Sequence, residues 1–245
     1  MSYLDATVLN ASSVDFGAPN KLGSTQQMVI PLSTIAGRFD WGSQVRLQFG
    51  KDQNHMLHTQ YGCGPAPQSD SNRYNLDIVP DSDLALAMRT LDATVVDYCE
   101  KNCEELFRTK LLTKQYTPVL KDKTEDGGGL SIRIKVVVEE EEEEKAKKRK
   151  LGTPMSKPTT IQRFLDETKT EVTDCDYTSI PRDSQVIVLA DTPGVWYNST
   201  AYGVSFTARK ILTLPPPSKH GLQDFSLLPG VVEVASRAVD DDGAA

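Results

Sequence analysis

The sequence predicts a mostly β fold with one long helix, an α+β chain, on three observations. Strand-like alternation recurs along the chain and is cleanest in "LSIRIKVVV". There Leu130, Ile132, Ile134, Val136 and Val138 share one side, and Ser131, Arg133, Lys135 and Val137 the other. One long stretch, Asp83 to about Leu112, instead repeats its apolar residues at three- and four-residue steps. Between two strand segments stands "EEEEEEKAKKRK", whose blocks of like charge repel and stay solvated, so a charged disordered insertion is expected at about 139–158.

In chain order, three weakly patterned strands come first, in "QQMVIPLST", "SQVRLQFG" and "HMLHTQYG". In the second, Val45, Leu47 and Phe49 alternate with Gln44, Arg46 and Gln48. Residues 62–81 are rich in Gly, Pro, Ser and Asn and read as a long loop, with an extended piece at Tyr74 to Val79. The helix follows, with Asp81, Ser82 and Asp83 as capping candidates and Leu84, Met88, Leu91, Val95, Tyr98, Cys99, Leu106 and Phe107 on its apolar stripe. It ends before "KQYTPVLK", where Pro118 holds Thr117 extended. Segment 160–167 reads as a short helix or strand, and 171–178 as a connection. Strands at Gln185 to Ala190 and Gly203 to Leu214 close the structured part, joined by a loop of about a dozen residues. Pro215, Pro216 and Pro217 then end the sheet.

A chain of 245 residues can bury a sizeable core. One domain is expected over 1–218, with 219–245 as a flexible tail ending in acid. No apolar run reaches membrane-spanning length, and "MSYLDATVLNASSVDF" has neither the basic nor the apolar region of a leader, so a nuclear or cytosolic location is expected. Cys63, Cys99, Cys103 and Cys175 form no CxxC pair and have no histidine at zinc spacing, so they read as reduced structural thiols. The net charge is −7, but Glu139 to Glu144 and Asp240 to Asp242 carry nine of the negative charges, leaving +2 on the rest. A nucleic-acid ligand would therefore require a local basic face.

Asp191-Thr192-Pro193-Gly194 spells the magnesium and γ-phosphate loop of a GTPase. No glycine-rich GxxxxGK[ST] cradle precedes it and no NKxD follows, so it reads as a turn sequence. With three histidines and neither GxSxG nor HExxH, neither an enzyme nor a metal or other cofactor is expected. The residues just beyond carry another chemistry. Trp196, Tyr197 and Tyr202 in or beside the loop, Phe206 in the strand, and Arg209 and Lys210 along it combine aromatic faces with cations, as proteins that hold single strands do. Arg46, Arg133, Lys135 and Lys169 extend that groove. Core or rim packing is the competing reading of the aromatics.

The order of "CEELFRTKLLTKQYTPVLK", "LSIRIKV", the charged insertion, "SQVIVLA" and "WYNSTAYGVSFTARKI" resembles the OB-fold single-stranded DNA-binding proteins of large eukaryotic DNA viruses and their relatives. It is distantly similar to the phage replication type. The resemblance covers about Asp81 to Leu214 and rests on Tyr116, Pro118 and Lys121 and on the strand Tyr202-Gly203-Val204-Ser205-Phe206. It implies an OB-like antiparallel β-barrel that carries single-stranded DNA across one sheet face through Trp196, Tyr202, Phe206, Arg209 and Lys135, with Arg133 and Lys210. It also implies a role in replication, repair or recombination, and replication partners recruited through Asp240 to Asp242. Lys147-Lys148-Arg149-Lys150 resembles a nuclear localisation signal or is a solvated block balancing the glutamates. The location is then the nucleus or a cytoplasmic viral replication site. A β-rich interaction module that binds basic partners through Glu139 to Glu144 is the alternative function.

Overall fold

The computed structural model describes residues 3–9, 13–21, 28–34, 45–52, 54–65, 73–108, 114–122, 129–138, 157–165 and 171–214. The acidic run at 139–144, the basic run at 147–150, Lys169 and the tail from 215 onward lie outside the described residues.

Five strands close on themselves. They are β1 (Leu57–Pro65), β2 (Arg73–Val79), β3 (Leu130–Val137), β4 (Gln185–Thr192) and β5 (Phe206–Leu214). β1 pairs with β2, β2 with β3, β3 with β5, β5 with β4, and β4 returns to β1. The β3–β5 pair is parallel and the other four are antiparallel, which gives a closed OB-like barrel with a Greek-key crossover. β4 and β5 are shared strands. The later half of β4 pairs with strand Val45–Phe49, and the later half of β5 with strand Thr160–Phe164, so the sheet runs on past the barrel at both sides.

Alternation explains the interior. Leu76 and Ile78 of β2, Ile132, Ile134 and Val136 of β3, Val186, Val188 and Ala190 of β4, and Phe206, Ala208 and Ile211 of β5 are all buried. The helix seals one part of this core. α1 (Ser82–Lys101) starts at Asp81, whose carboxylate accepts from the Leu84 amide, and it buries Leu84, Met88, Leu91, Val95 and Cys99. Helical structure breaks at Asn102 and resumes as α2 (Cys103–Phe107), which stops where Arg108 turns left-handed at φ 56. Asp92, half-buried on α1, ties the helix to the segment after it. It accepts from Tyr116 Oη at 2.5 Å and from the amides of Val119 and Leu120.

Several expectations are refined. Within 62–81 the expected extended piece at Tyr74 to Val79 is β2, and Cys63 to Pro65, read as loop, pair with it. Segment 160–167 is strand over Thr160–Phe164, and the connection at 171–178 contains strand Val172–Cys175 paired to it. The loop between the last two strands holds a hairpin of its own, Val195–Tyr197 with Ala201–Val204. Asp191 and Thr192 are the end of β4 and not a turn; the chain bends only at Pro193-Gly194. Gly194 has φ 126, and a Cβ there would stand 2.1 Å from the Ile30 carbonyl oxygen, so glycine is required at this approach.

Candidate nucleic-acid interface

The hairpin between β4 and β5 forms the centre of a small second sheet with strands at Asn20–Lys21, Met28–Ile30 and Gln115–Thr117. Its register makes two rows. Asn20, Val29, Trp196, Gly203 and Thr117 stand opposite one another in one, and Met28, Tyr197, Tyr202 and Tyr116 in the next. Because side chains alternate across a strand, the two rows face opposite ways.

The tyrosine row faces the core. Tyr197 and Tyr202 are 8% and 2% exposed, and their rings pack around Phe107 and Tyr116 at centroid distances of 4.9 to 6.1 Å. Burial pushes the Tyr202 phenol up to about 12. Phe206 is 1% exposed and meets Phe49 edge-on at 5.1 Å. Tyr197, Tyr202 and Phe206 are therefore corrected from base-stacking surface to core. Their aromatic character fits both roles, and only the facing of each strand separates them.

Trp196 remains, half-buried on the outer row beside Gly203. Alternation carries that face from Gly203 to Ser205, whose hydroxyl accepts from Lys135 Nζ at 3.3 Å. Lys135 is exposed on β3, and it belongs to a register row that crosses the barrel exterior: Arg46, Asp191, Thr207, Lys135, Asn75 and Gly64. The barrel's outer face and the Trp196 face of the small sheet thus meet at Ser205.

Three cations on this exterior lie against two buried acids. Arg133 makes a bidentate pair with Asp77, Nε at 2.8 Å and Nη2 at 2.7 Å, and this hydrogen bonding raises its pKa further. Arg209 donates Nε to Asp191 at 2.6 Å, with Arg46 Nε 3.9 Å from the other carboxylate oxygen. A β-bulge lies here: Leu189 pairs with Lys210 and Ala190 with Ala208, so Arg209 is the extra residue, and it and Lys210 both face outward between buried Ala208 and Ile211. Arg46, Arg133, Lys135, Arg209 and Lys210 against Asp77 and Asp191 leave a local charge of +3 in a chain of −7.

Three participants escaped the sequence reading. Tyr3 precedes the two-residue strand that runs parallel to Val45–Phe49, with Leu4 opposite Leu47, and it interacts electrostatically with Asp191, Arg46 and Arg209. Tyr61 is 56% exposed on β1, turned outward where the β1–β2 register shifts between Thr59 and Cys63. Asp191 read as turn chemistry, though its later partner Arg209 lies on the next barrel strand. Among the described residues no cluster of three or more His, Cys, Asp or Glu converges, and no helix is long and apolar enough to cross a membrane.

No family model and no curated protein matches the chain. Among solved structures, it is similar to gp2.5, a single-stranded DNA-binding protein encoded by bacteriophage T7, at 11% identity and TM-score 0.44, over 83% of this chain and 100% of that one. It is also similar to the single-stranded DNA-binding protein of bacteriophage Enc34, at 11% identity and TM-score 0.41, over 86% and 97% of the two chains. The same Enc34 protein in complex with single-stranded DNA gives 10% identity and TM-score 0.41, over 82% and 96%. These are bacteriophage proteins, and the expected type from large eukaryotic DNA viruses has no counterpart among them.

Proposed function

We propose that this chain is a non-enzymatic protein that coats single-stranded DNA without sequence specificity, in replication, repair or recombination. The observation that carries the reading is the continuous outer surface from Trp196 through Ser205 to Lys135 and on to Arg209 and Arg46. An aromatic face next to cations in a row serves any base and any phosphate, and so gives binding without readout of base edges. OB-like barrels bind oligonucleotides through the exterior of strands 2 and 3 and the loops between strands 1 and 2 and strands 4 and 5. Lys135 and Arg133 lie on β3, and Trp196 in the β4–β5 connection. Single-domain organisation over 1–218, a nuclear address at Lys147 to Lys150 and partner recruitment by Asp240 to Asp242 belong to the same proposal.

The test is fluorescence anisotropy of a labelled single strand of about thirty nucleotides, long enough for more than one OB-fold site, against an equal duplex and an equal RNA strand. Tight, salt-sensitive binding to the DNA single strand and much poorer binding to the duplex is expected. Trp196→Ala is expected to keep the fold and to weaken binding by about 1–3 kcal/mol. Equal affinity for duplex and single strand, or an unaffected Trp196→Ala variant, would overturn the reading.

A further inference from the structure

Asp191 is 5% exposed, yet it sits on the outward side of β4, between Arg46 on one neighbouring strand and Arg209 on the other. Its Oδ2 takes the Arg209 Nε at 2.6 Å, while its Oδ1 is buried without a hydrogen-bond partner, 3.9 Å from Arg46 Nε. Burying a carboxylate is costly unless it is paired, so a single acid here requires both cations to stay close. The two arginine side chains keep 27% and 29% of their surface exposed, so the pair is not sealed from solvent. Arg209 lies two residues beyond Thr207, the β5 residue opposite Asp191, and so shares the carboxylate's face, while the β-bulge leaves it without a β4 residue directly opposite. Arginine's planar fork suits a phosphate oxygen pair, and less freedom is lost when it is held beforehand.

We infer that Asp191 is a positioning residue that holds Arg46 and Arg209 together as a two-arginine seat for a backbone phosphate, with Tyr3 beside it. The phosphate is taken to be a phosphodiester of the single strand, so the inference rests on the proposed function. It assigns to Asp191 a role opposite to the one its charge alone would give. A negative charge on a DNA-facing surface weakens binding by repulsion, whereas a clamp strengthens it.

The experiment compares the full-length parent, Asp191→Asn, Arg209→Lys and the Arg46→Ala/Arg209→Ala double variant by anisotropy on the same single strand across a salt series. Folding is checked by circular dichroism and thermal melting. Asp191→Asn adds a unit of positive charge to the face, yet it is expected to weaken binding about tenfold. It should also flatten the salt dependence by about 0.7 in log–log slope, the one phosphate contact that the seat makes. The double variant should show the same slope. Unchanged or tighter binding with the parent's slope overturns the inference. Arg209→Lys covers the case in which Asp191→Asn does not fold: it keeps the charge but loses the guanidinium, and full parental affinity would overturn the seat. A parallel NMR titration of the arginine Nε–Hε signals with inorganic pyrophosphate separates the two readings. If the parent binds no single strand, the proposed function falls. The anion seat then stands if pyrophosphate shifts the Arg46 and Arg209 signals in the parent only, and falls with it if nothing shifts.

Discussion

Trp196 lies against Gly203 across the hairpin: a Cβ added at Gly203 would stand 3.2 Å from Cζ2 of the indole and 2.6 Å from the Thr117 carbonyl oxygen. The glycine leaves room for the ring on the outer row. Gly203→Ala is therefore expected to push the indole away and strain the strand, costing about 1–3 kcal/mol as an overpacked site does. Urea denaturation measures the loss, and tryptophan emission in a Trp41→Phe background reports the indole's displacement. An unchanged midpoint and spectrum would show that the contact relaxes freely.

Phe206 is a core residue, and its removal tests that placement against a binding role. Phe206→Ala is expected to destabilise the protein by about 3–5 kcal/mol. Under conditions where the variant remains folded, its affinity for a single strand should match the parent's. A stable variant that binds poorly would return Phe206 to the interface.

Arg133 and Lys135 stand two residues apart on the same side of β3 and should behave differently. Arg133 is committed to Asp77, itself 6% exposed. Arg133→Ala strands that carboxylate and is expected to cost about 2–3 kcal/mol of stability, near the range for charged hydrogen bonds, since the pair stays partly open to water. Lys135→Ala should leave stability almost untouched and reduce the salt slope of binding by about 0.7, one phosphate contact. Paired melting curves and salt titrations distinguish the two. Equal effects on both readouts would refute the division of labour.

Burial raises the Asp92 carboxyl above its ordinary 3.8, against the lowering effect of its hydrogen bonds from Tyr116 and the Val119 and Leu120 amides. The sign follows from linkage: a folded-state pKa above the unfolded one means that the native protein binds the extra proton. This contribution is fully present below pH 3.8 and is lost as pH rises through the raised value. The stability difference between the parent and Asp92→Asn should therefore shift in the parent's favour as pH falls through that window. A difference independent of pH in urea melts from pH 3 to 7 would contradict the raised value.

Cys63 and Cys99 are both pushed up to about 12 by burial. Their thiols should react with a disulfide reagent at pH 8 only as fast as the protein opens, since the thiolate is the nucleophile. Immediate titration of all four thiols in the native protein would rule out this burial.

Local pattern was enough for β3 and for α1. In β3 one face is continuously apolar, so its inside and outside follow from composition, and Ile132, Ile134 and Val136 are indeed buried. In α1 the stripe from Leu84 to Cys99 is long enough for the helical period to dominate. Strand Val45–Phe49 was readable for the same reason. The extended piece at Tyr74 to Val79 was readable as β2, but the end of β1 at Cys63 to Pro65 was harder, because its glycine- and proline-rich sequence suggested a loop and its strand character depends on pairing with β2.

The candidate interface was legible only in part, and the limits are physical. Trp196 and Tyr197 are neighbours of one chemical class, and nothing local says which side of their strand meets the core. The β5 bulge that leaves both Arg209 and Lys210 facing out exists only against β4, so counting alternate residues along β5 alone cannot place the two together. Asp191 meets Arg46 and Arg209 from 145 residues before and 18 after in the chain.

By itself the sequence determined β3, α1 and strand Val45–Phe49, the apolar face of each and the supply of aromatic and basic residues near the chain's last strands, because these follow from side-chain chemistry and period. The tertiary structure alone decided the closure of β1 to β5, the burial of Tyr197, Tyr202 and Phe206, and the outer alignment of Trp196, Lys135, Arg209 and Arg46. Those depend on register between strands far apart in sequence, where a shift of one residue turns every side chain to the opposite face.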